Sequence, residues 1–134
     1  MRANNLTLLT DLYELTMMQG YFKNPTDQTV VFDMFYRDNP CGGGFAICAG
    51  LEQVIEYIEN LRFTDADIEY LRSLSIFEED FLEYLSSFHF TGDIYAVPEG
   101  TVIFPREPMV KVVAPIMEAV SYTHLRAHET LMNL

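Results

Sequence analysis

The sequence predicts an α+β domain, with helices packed on a mostly antiparallel sheet. Three observations lead there. Helical and strand periodicities are partly segregated along the chain, in the order one helix, two strands, three helices, three strands. Gly- and Pro-rich clusters punctuate the strands of the last third. Apolar residues make up 49% of the 134, which suits one domain with its own core and does not suit a disordered chain.

The first helix is expected near Thr10 to Phe22. Leu12, Leu15, Met18 and Phe22 form one apolar stripe, and Tyr13, Met17 and Tyr21 form a second beside it. So broad an apolar surface argues for burial on more than one side. Asp11 is placed in the first turn, where the helix dipole favours an anion. Lys23-Asn24-Pro25 marks the exit. Thr29 to Tyr36, rich in Val, Phe and Tyr, reads as a strand. The loop from Arg37 to Gly44 interrupts it, and Phe45 to Ala49 is a second short strand.

Gly50 then opens the clearest amphipathic helix, with Leu51, Val54, Ile55, Ile58 and Leu61 on one face and Glu52, Glu56 and Glu59 on the other. Two further helices carry capping-box patterns at their starts, Thr64-x-x-Asp67 and Ser75-x-x-Glu78. The first turns Ile68, Leu71 and Leu74 inward, the second Phe77, Phe81, Leu85 and Phe88. The period then shortens to that of strands at Gly92 to Val97, Thr101 to Phe104 and Met109 to Val113.

Net charge is −12, which disfavours nucleic acid and anionic lipid as partners. No apolar run reaches the ~18 residues that a membrane-spanning helix needs, and no secretory signal follows the first residues. A cytoplasmic protein is the expectation. Cys41 and Cys48 are seven positions apart, a spacing of neither redox nor zinc motifs, and read as two reduced thiols.

Composition changes after Glu118. The segment 119–134 contains one acid, Glu129, and one arginine, Arg126, so the whole −12 falls in residues 1–118. His124 and His128 stand at i, i+4, as a metal-ligand pair would. They lack the glutamate directly after the first histidine that a zincin requires, and two ligands leave a structural zinc site half empty. The string resembles translated adapter sequence appended to a broken reading frame. Residues 1–118 are therefore read as the domain and 119–134 as a non-native tail, with no metal site assigned.

Three features before the tail could carry chemistry. Tyr13 beside Asp11 is either a core tyrosine with a satisfied hydroxyl or an aromatic contact for a ligand. Arg37 before Gly42-Gly43-Gly44 offers a planar fork and close backbone N–H groups suited to phosphate. Its structural alternative is a surface ion pair with a flexible turn. Glu99 in Val97-Pro98-Glu99-Gly100 reads as a turn residue rather than an acid catalyst. His89 follows an apolar stripe and reads as a residue at a helix C-terminus. No nucleophile-base arrangement is present.

TDLYELTMMQGYF (10–22), FDMFYRDNPCGGGFAICAGL (32–51) and VPEGTVIFPREPMVKVVAP (97–115) resemble, in order and spacing, the N-terminal region of nicotinate phosphoribosyltransferases. The resemblance covers residues 6–118. It implies the N-terminal α/β sandwich domain of a type II phosphoribosyltransferase, without the barrel domain. The family condenses nicotinate with phosphoribosyl pyrophosphate to give nicotinate mononucleotide for NAD synthesis. ATP hydrolysis is coupled through a phosphorylated histidine, and Mg²⁺ accompanies the pyrophosphate. Members are homodimers in which this domain completes the partner's active site.

Carried over residue by residue, the resemblance makes Tyr13 the ring that stacks on the pyridine and Arg37 a contact to the donor's phosphates. Asp11 would orient that site, and Gly43 and Gly44 would bring backbone close to the donor. The family's catalytic histidine and phosphate loop lie beyond Glu118, so no catalytic residue is assigned and the chain alone is expected to be inactive. Two other readings stand beside this one. One is a non-enzymatic acidic α+β binding or dimerisation module. The other is a fragment of a nicotinamide or quinolinate phosphoribosyltransferase. Phe45, Ile47, Val102, Phe104 and Val110 are expected on a strand face that a barrel would cover, and a true module would not leave such a face bare.

Overall fold

A computed structural model describes residues 6–25 and 27–120. The expected alternation is present: α1 (Leu12–Lys23), β1 (Thr29–Met34), a 3₁₀ turn (Pro40–Gly42), β2 (Ala46–Ile47), α2 (Leu51–Glu59), α3 (Asp65–Ser73), α4 (Glu79–Ser86), β3 (Asp93–Ala96), β4 (Val102–Ile103) and β5 (Val110–Pro115). Residues 116–120 are helical. β1 to β4 are shorter than their sequence patterns, β5 runs on to Pro115, and the strands form two sheets. One has the order β1-β5-β3 and the other pairs β2 with β4, all antiparallel.

Register explains which residues the larger sheet buries. Val112, at its centre, pairs with Phe32 of β1 and Ile94 of β3, while Val110 pairs with Met34 and Ala96. Val110, Val112 and Ala114 alternate with exposed Lys111 and Pro115, as a half-buried strand requires. Val110 therefore does not join the face of Phe45, Ile47, Val102 and Phe104. It lies in the central strand of the other sheet and is buried.

Helices α1, α3 and α4 enclose a second core of Leu15, Met18, Ile68, Leu71, Phe81, Leu82 and Leu85. On α1 only Glu14, Leu15 and Met18 are buried. Leu12, Tyr13 and Met17 stay exposed, while Tyr21 and Phe22 are half-buried against the core, so each expected stripe is buried only in part.

Helix starts follow two different rules. Thr64 makes the expected capping box: its Oγ1 accepts from the Asp67 N–H, and the Asp67 carboxylate accepts from the Thr64 N–H at 2.8 Å. Ser75 and Glu78 do not form the second box. Ser75 instead leaves α3 in the left-handed region at φ 56°, and α4 begins after Glu78 with no local side-chain cap. Its cap comes from α1, where Gln19 Oε1 accepts from the Glu78 N–H at 2.7 Å and Gln19 Nε2 donates to the Ile76 carbonyl. Lys23 of α1 pairs with the Glu78 carboxylate.

Beyond Pro115 the chain closes against the domain. Glu118 is buried, accepting from the Thr91 N–H at 2.6 Å and the Thr91 hydroxyl at 2.8 Å. Ala119 and Val120 are buried as well. The remainder of the segment after 118, including His124 and His128, lies outside the described residues.

Candidate functional site

The candidate residues fall on two parts of the fold. Asp11 and Tyr13 belong to the start of α1. Arg37, Gly43 and Gly44 belong to the loop between β1 and β2. The first part rests on the helical core, and the second on a small cluster of Cys48, Ile103 and Met109.

Asp11 is the N-cap of α1 rather than a first-turn residue. Its backbone is extended, and its side chain makes no cap hydrogen bond. The anion inside the turn is Glu14, buried in the helical core and accepting from the Thr10 hydroxyl. Sequence reasoning passed over Glu14. The available signal was its position four residues before buried Met18, which puts an acid on the inward face. Nearby Tyr57 has its phenol pushed well above the usual range, first by burial and then by the Glu14 charge. With Glu14 turned inward, Tyr13 faces outward and is 56% exposed. It is an accessible aromatic ring and not a core tyrosine.

The β1–β2 loop is anchored at its root. The Tyr36 hydroxyl lies 2.8 Å from the Ile103 carbonyl and 2.9 Å from Asn39 Oδ1, and the Tyr36 carbonyl accepts from the Arg106 N–H at 2.8 Å. Asn39 thus spends its side chain on Tyr36 and caps nothing at the 3₁₀ turn it precedes. Burial holds the Tyr36 phenol above its ordinary range. Arg37, one residue on, is exposed and makes no hydrogen bond or ion pair among the described residues. The surface ion pair considered from sequence is not formed there.

Of the three loop glycines, Gly42 alone adopts the left-handed region, at φ 67°, following Cys41 at 56°. A β-carbon placed at Gly44 would have no atom within 4 Å, and one at Gly43 would meet only backbone oxygens at 3.4 and 3.8 Å. Both are exposed backbone that a ligand can approach.

Glu99 is a turn residue with an added task. Its Oε1 accepts from the N–H groups of Gly50, Leu51 and Glu52 at 3.0, 2.7 and 3.3 Å, capping α2 from the β3–β4 turn. His89 is exposed, with Nδ1 3.1 Å from the Ser87 carbonyl just past α4. The groove between α3 and α4 is lined by Asp65, Glu69, Glu79 and Glu83, and its cation, Arg72, is held by Glu69 and Glu79. That lining repels phosphate. Among the described residues no group of three or more His, Cys, Asp or Glu is placed to hold a metal, and no helix is long and apolar enough to cross a membrane.

Both cysteines are free thiols, Cys41 exposed and Cys48 buried. Burial, and then the Glu99 charge, push the Cys48 thiol up, so its reactive thiolate is suppressed. Iodoacetamide at mildly alkaline pH is expected to add one equivalent to the folded chain, at Cys41, and a second only in denaturant. Peptide mass mapping reads this directly. Prior labelling of Cys48 in the folded chain would contradict the structure.

Comparison with known proteins bears on the family and the fold. A family model described as the nicotinate phosphoribosyltransferase (NAPRTase) N-terminal domain matches residues 8–124. A nicotinate phosphoribosyltransferase of Mycobacterium tuberculosis is 49% identical over 112 residues, covering 84% of this chain and 24% of that protein. The Bacillus subtilis nicotinate phosphoribosyltransferase is 42% identical over 119 residues, covering 88% and 24%. The crystal structure of human nicotinic acid phosphoribosyltransferase superposes with a TM-score of 0.75 at 32% identity, covering 84% of this chain and 23% of that one. The chain spans about a quarter of the length of these relatives. It belongs to the nicotinate phosphoribosyltransferase N-terminal domain family.

Proposed function

We propose that this chain is the N-terminal part of an enzyme that joins nicotinate to phosphoribosyl pyrophosphate, making nicotinate mononucleotide for NAD synthesis in the cytoplasm. The observation that carries the reading is the pairing of family membership with two exposed side chains, Tyr13 and Arg37, on separate supports. Tyr13 would stack on the electron-poor pyridine ring, for which a flat aromatic partner is suited. Arg37 would hold a donor phosphate through its planar fork. Gly43 and Gly44 would let the donor approach the backbone closely, the Gly43 N–H itself being held by the Pro40 carbonyl at 3.1 Å, and Asp11 would border the ring site.

Two exposed apolar surfaces support a larger assembly. Leu12, Tyr13 and Met17 mark one. Phe45, Ile47, Val102 and Phe104 form the other on one face of the β2–β4 pair. In the proposed whole enzyme a barrel domain and a second subunit cover them, and the domain completes its partner's active site. ATP and Mg²⁺ would serve that enzyme through residues outside this domain, where the catalytic histidine would also lie. Within this reading residues 119–134 are a non-native tail, and the chain alone is inactive.

A chimera tests the proposal. Residues 8–118 replace the matching segment of the M. tuberculosis enzyme, and nucleotide formation is measured with nicotinate, nicotinamide and quinolinate. Activity with nicotinate in preference to the other two is expected. A folded chimera that prefers another base would replace the substrate assignment, and a folded chimera inactive on all three would contradict the enzyme reading.

A further inference from the structure

Arg106 is a second cation at the root of the Arg37 loop. It lies in the connection between β4 and β5 with φ at 67°, the left-handed region that disfavours a residue with a β-carbon. Its N–H donates at 2.8 Å to the Tyr36 carbonyl. That carbonyl belongs to the peptide link whose nitrogen is Arg37's own. Two segments seventy residues apart in sequence thus place their arginines on either side of one backbone hydrogen bond.

Both arginines are exposed, and neither makes a side-chain hydrogen bond or ion pair among the described residues. The chain has 20 acids against 8 lysines and arginines, so unpaired cations are not for want of partners. Lys23, Arg72 and Lys111 all stand beside carboxylates. Asp38 and Glu107 directly follow the two arginines in sequence, yet neither pairs with them. The root of the loop is also held in place, by the Tyr36 hydroxyl against Asn39 and the Ile103 carbonyl. Two free guanidinium forks on a fixed support suit a ligand with two linked phosphate groups, one for each fork.

We propose that Arg106 and Arg37 together form one site for a diphosphate group. This rests on the reading of Arg37 as a phosphate contact and adds a second residue to it. The test is a titration of the 134-residue chain with inorganic pyrophosphate at constant ionic strength, following the arginine Nε–Hε signals by NMR. The variants are Arg37→Ala, Arg106→Gly and Arg106→Lys. Glycine suits the left-handed backbone at 106, so R106G is expected to keep the fold.

In the unaltered chain the two Nε signals should move together with one dissociation constant, and orthophosphate should bind more weakly. R106G should weaken pyrophosphate binding about tenfold, the loss of one charged hydrogen-bonding group. R106K should recover part of it, and R37A should weaken the shift of Arg106. If Arg37 responds equally in R106G and the unaltered chain, the inference fails and the Arg37 reading stands. If neither signal moves with pyrophosphate, or chloride moves both as far, the inference and the Arg37 reading both fail.

Discussion

Phe81→Ala is expected to lower unfolding stability by about 3–5 kcal/mol, the range for removing a fully buried aromatic ring. The side chain is inaccessible and stands at the centre of the helical core. Its ring centroid lies 5.7 Å from Phe22, 5.8 Å from Phe77 and 6.5 Å from Tyr84. Those rings come from α1, from the segment before α4, and from α4 itself. Truncation would open a cavity between elements that the backbone cannot easily close. Since a domain of this size typically has only ~5–15 kcal/mol of stability, the loss would be a large share of the total. Urea unfolding followed by circular dichroism measures it. A loss below about 1 kcal/mol would mean that α4 is not packed as described.

Gly92→Ala should be the second large effect, about 1–3 kcal/mol, through overpacking. A β-carbon at Gly92 would lie 2.4 Å from the Ala114 β-carbon, 2.7 Å from the Val113 carbonyl oxygen and 2.8 Å from Phe90 Cζ. Two of these neighbours belong to β5, the central strand of its sheet, which is hydrogen-bonded on both sides. Yielding there would also disturb the adjoining Thr91–Glu118 contact. Gly44→Ala is the control. Nothing stands within 4 Å of its β-carbon position, so its stability should change by less than about 0.5 kcal/mol. The denaturant midpoint should fall for G92A and hold for G44A, with the slope unchanged in both. Equal midpoints for the two would refute the packing of β3 against β5.

The sequence carried the fold to the level of element order because each element has a local cause. The amphipathic pattern of α2 and the Thr64 capping box are set within a few residues, and both elements form, with Ile55 alone of the expected apolar face left exposed. Where the cause is distant, local reading failed. The cap of α4 comes from Gln19, fifty-nine residues earlier, and overrides the Ser75 pattern. Val110 looks like its neighbours in a hydrophobic strand, but the sheet it joins depends on pairing with Met34 and Ala96. The two stripes of α1 are equally apolar in sequence. Burial cuts across both: Leu15 and Met18 enter the α3–α4 core and Tyr21 and Phe22 pack against it, while Leu12, Tyr13 and Met17 are exposed.

The candidate site divides in the same way. Tyr13 and Arg37 were visible as residue types beside recognisable motifs, and the structure leaves both exposed. Glu14 and Arg106 were not visible. One depends on which face of α1 turns inward, the other on a hydrogen bond between two loops. Glu99 reads correctly as a turn residue, but its hold on the start of α2 is a contact across forty-nine residues of sequence.

The central claim is that this domain presents Tyr13 to a pyridine base. The most direct measurement is the KM for nicotinate in the active M. tuberculosis chimera, compared among Tyr13, Tyr13→Phe and Tyr13→Ala. Stacking predicts that Phe keeps KM within about threefold, while Ala raises it roughly tenfold, in line with the ~0.5–1.5 kcal/mol of an aromatic pair beyond its area burial. A KM unchanged in Tyr13→Ala, in an enzyme that remains folded and active, would contradict it.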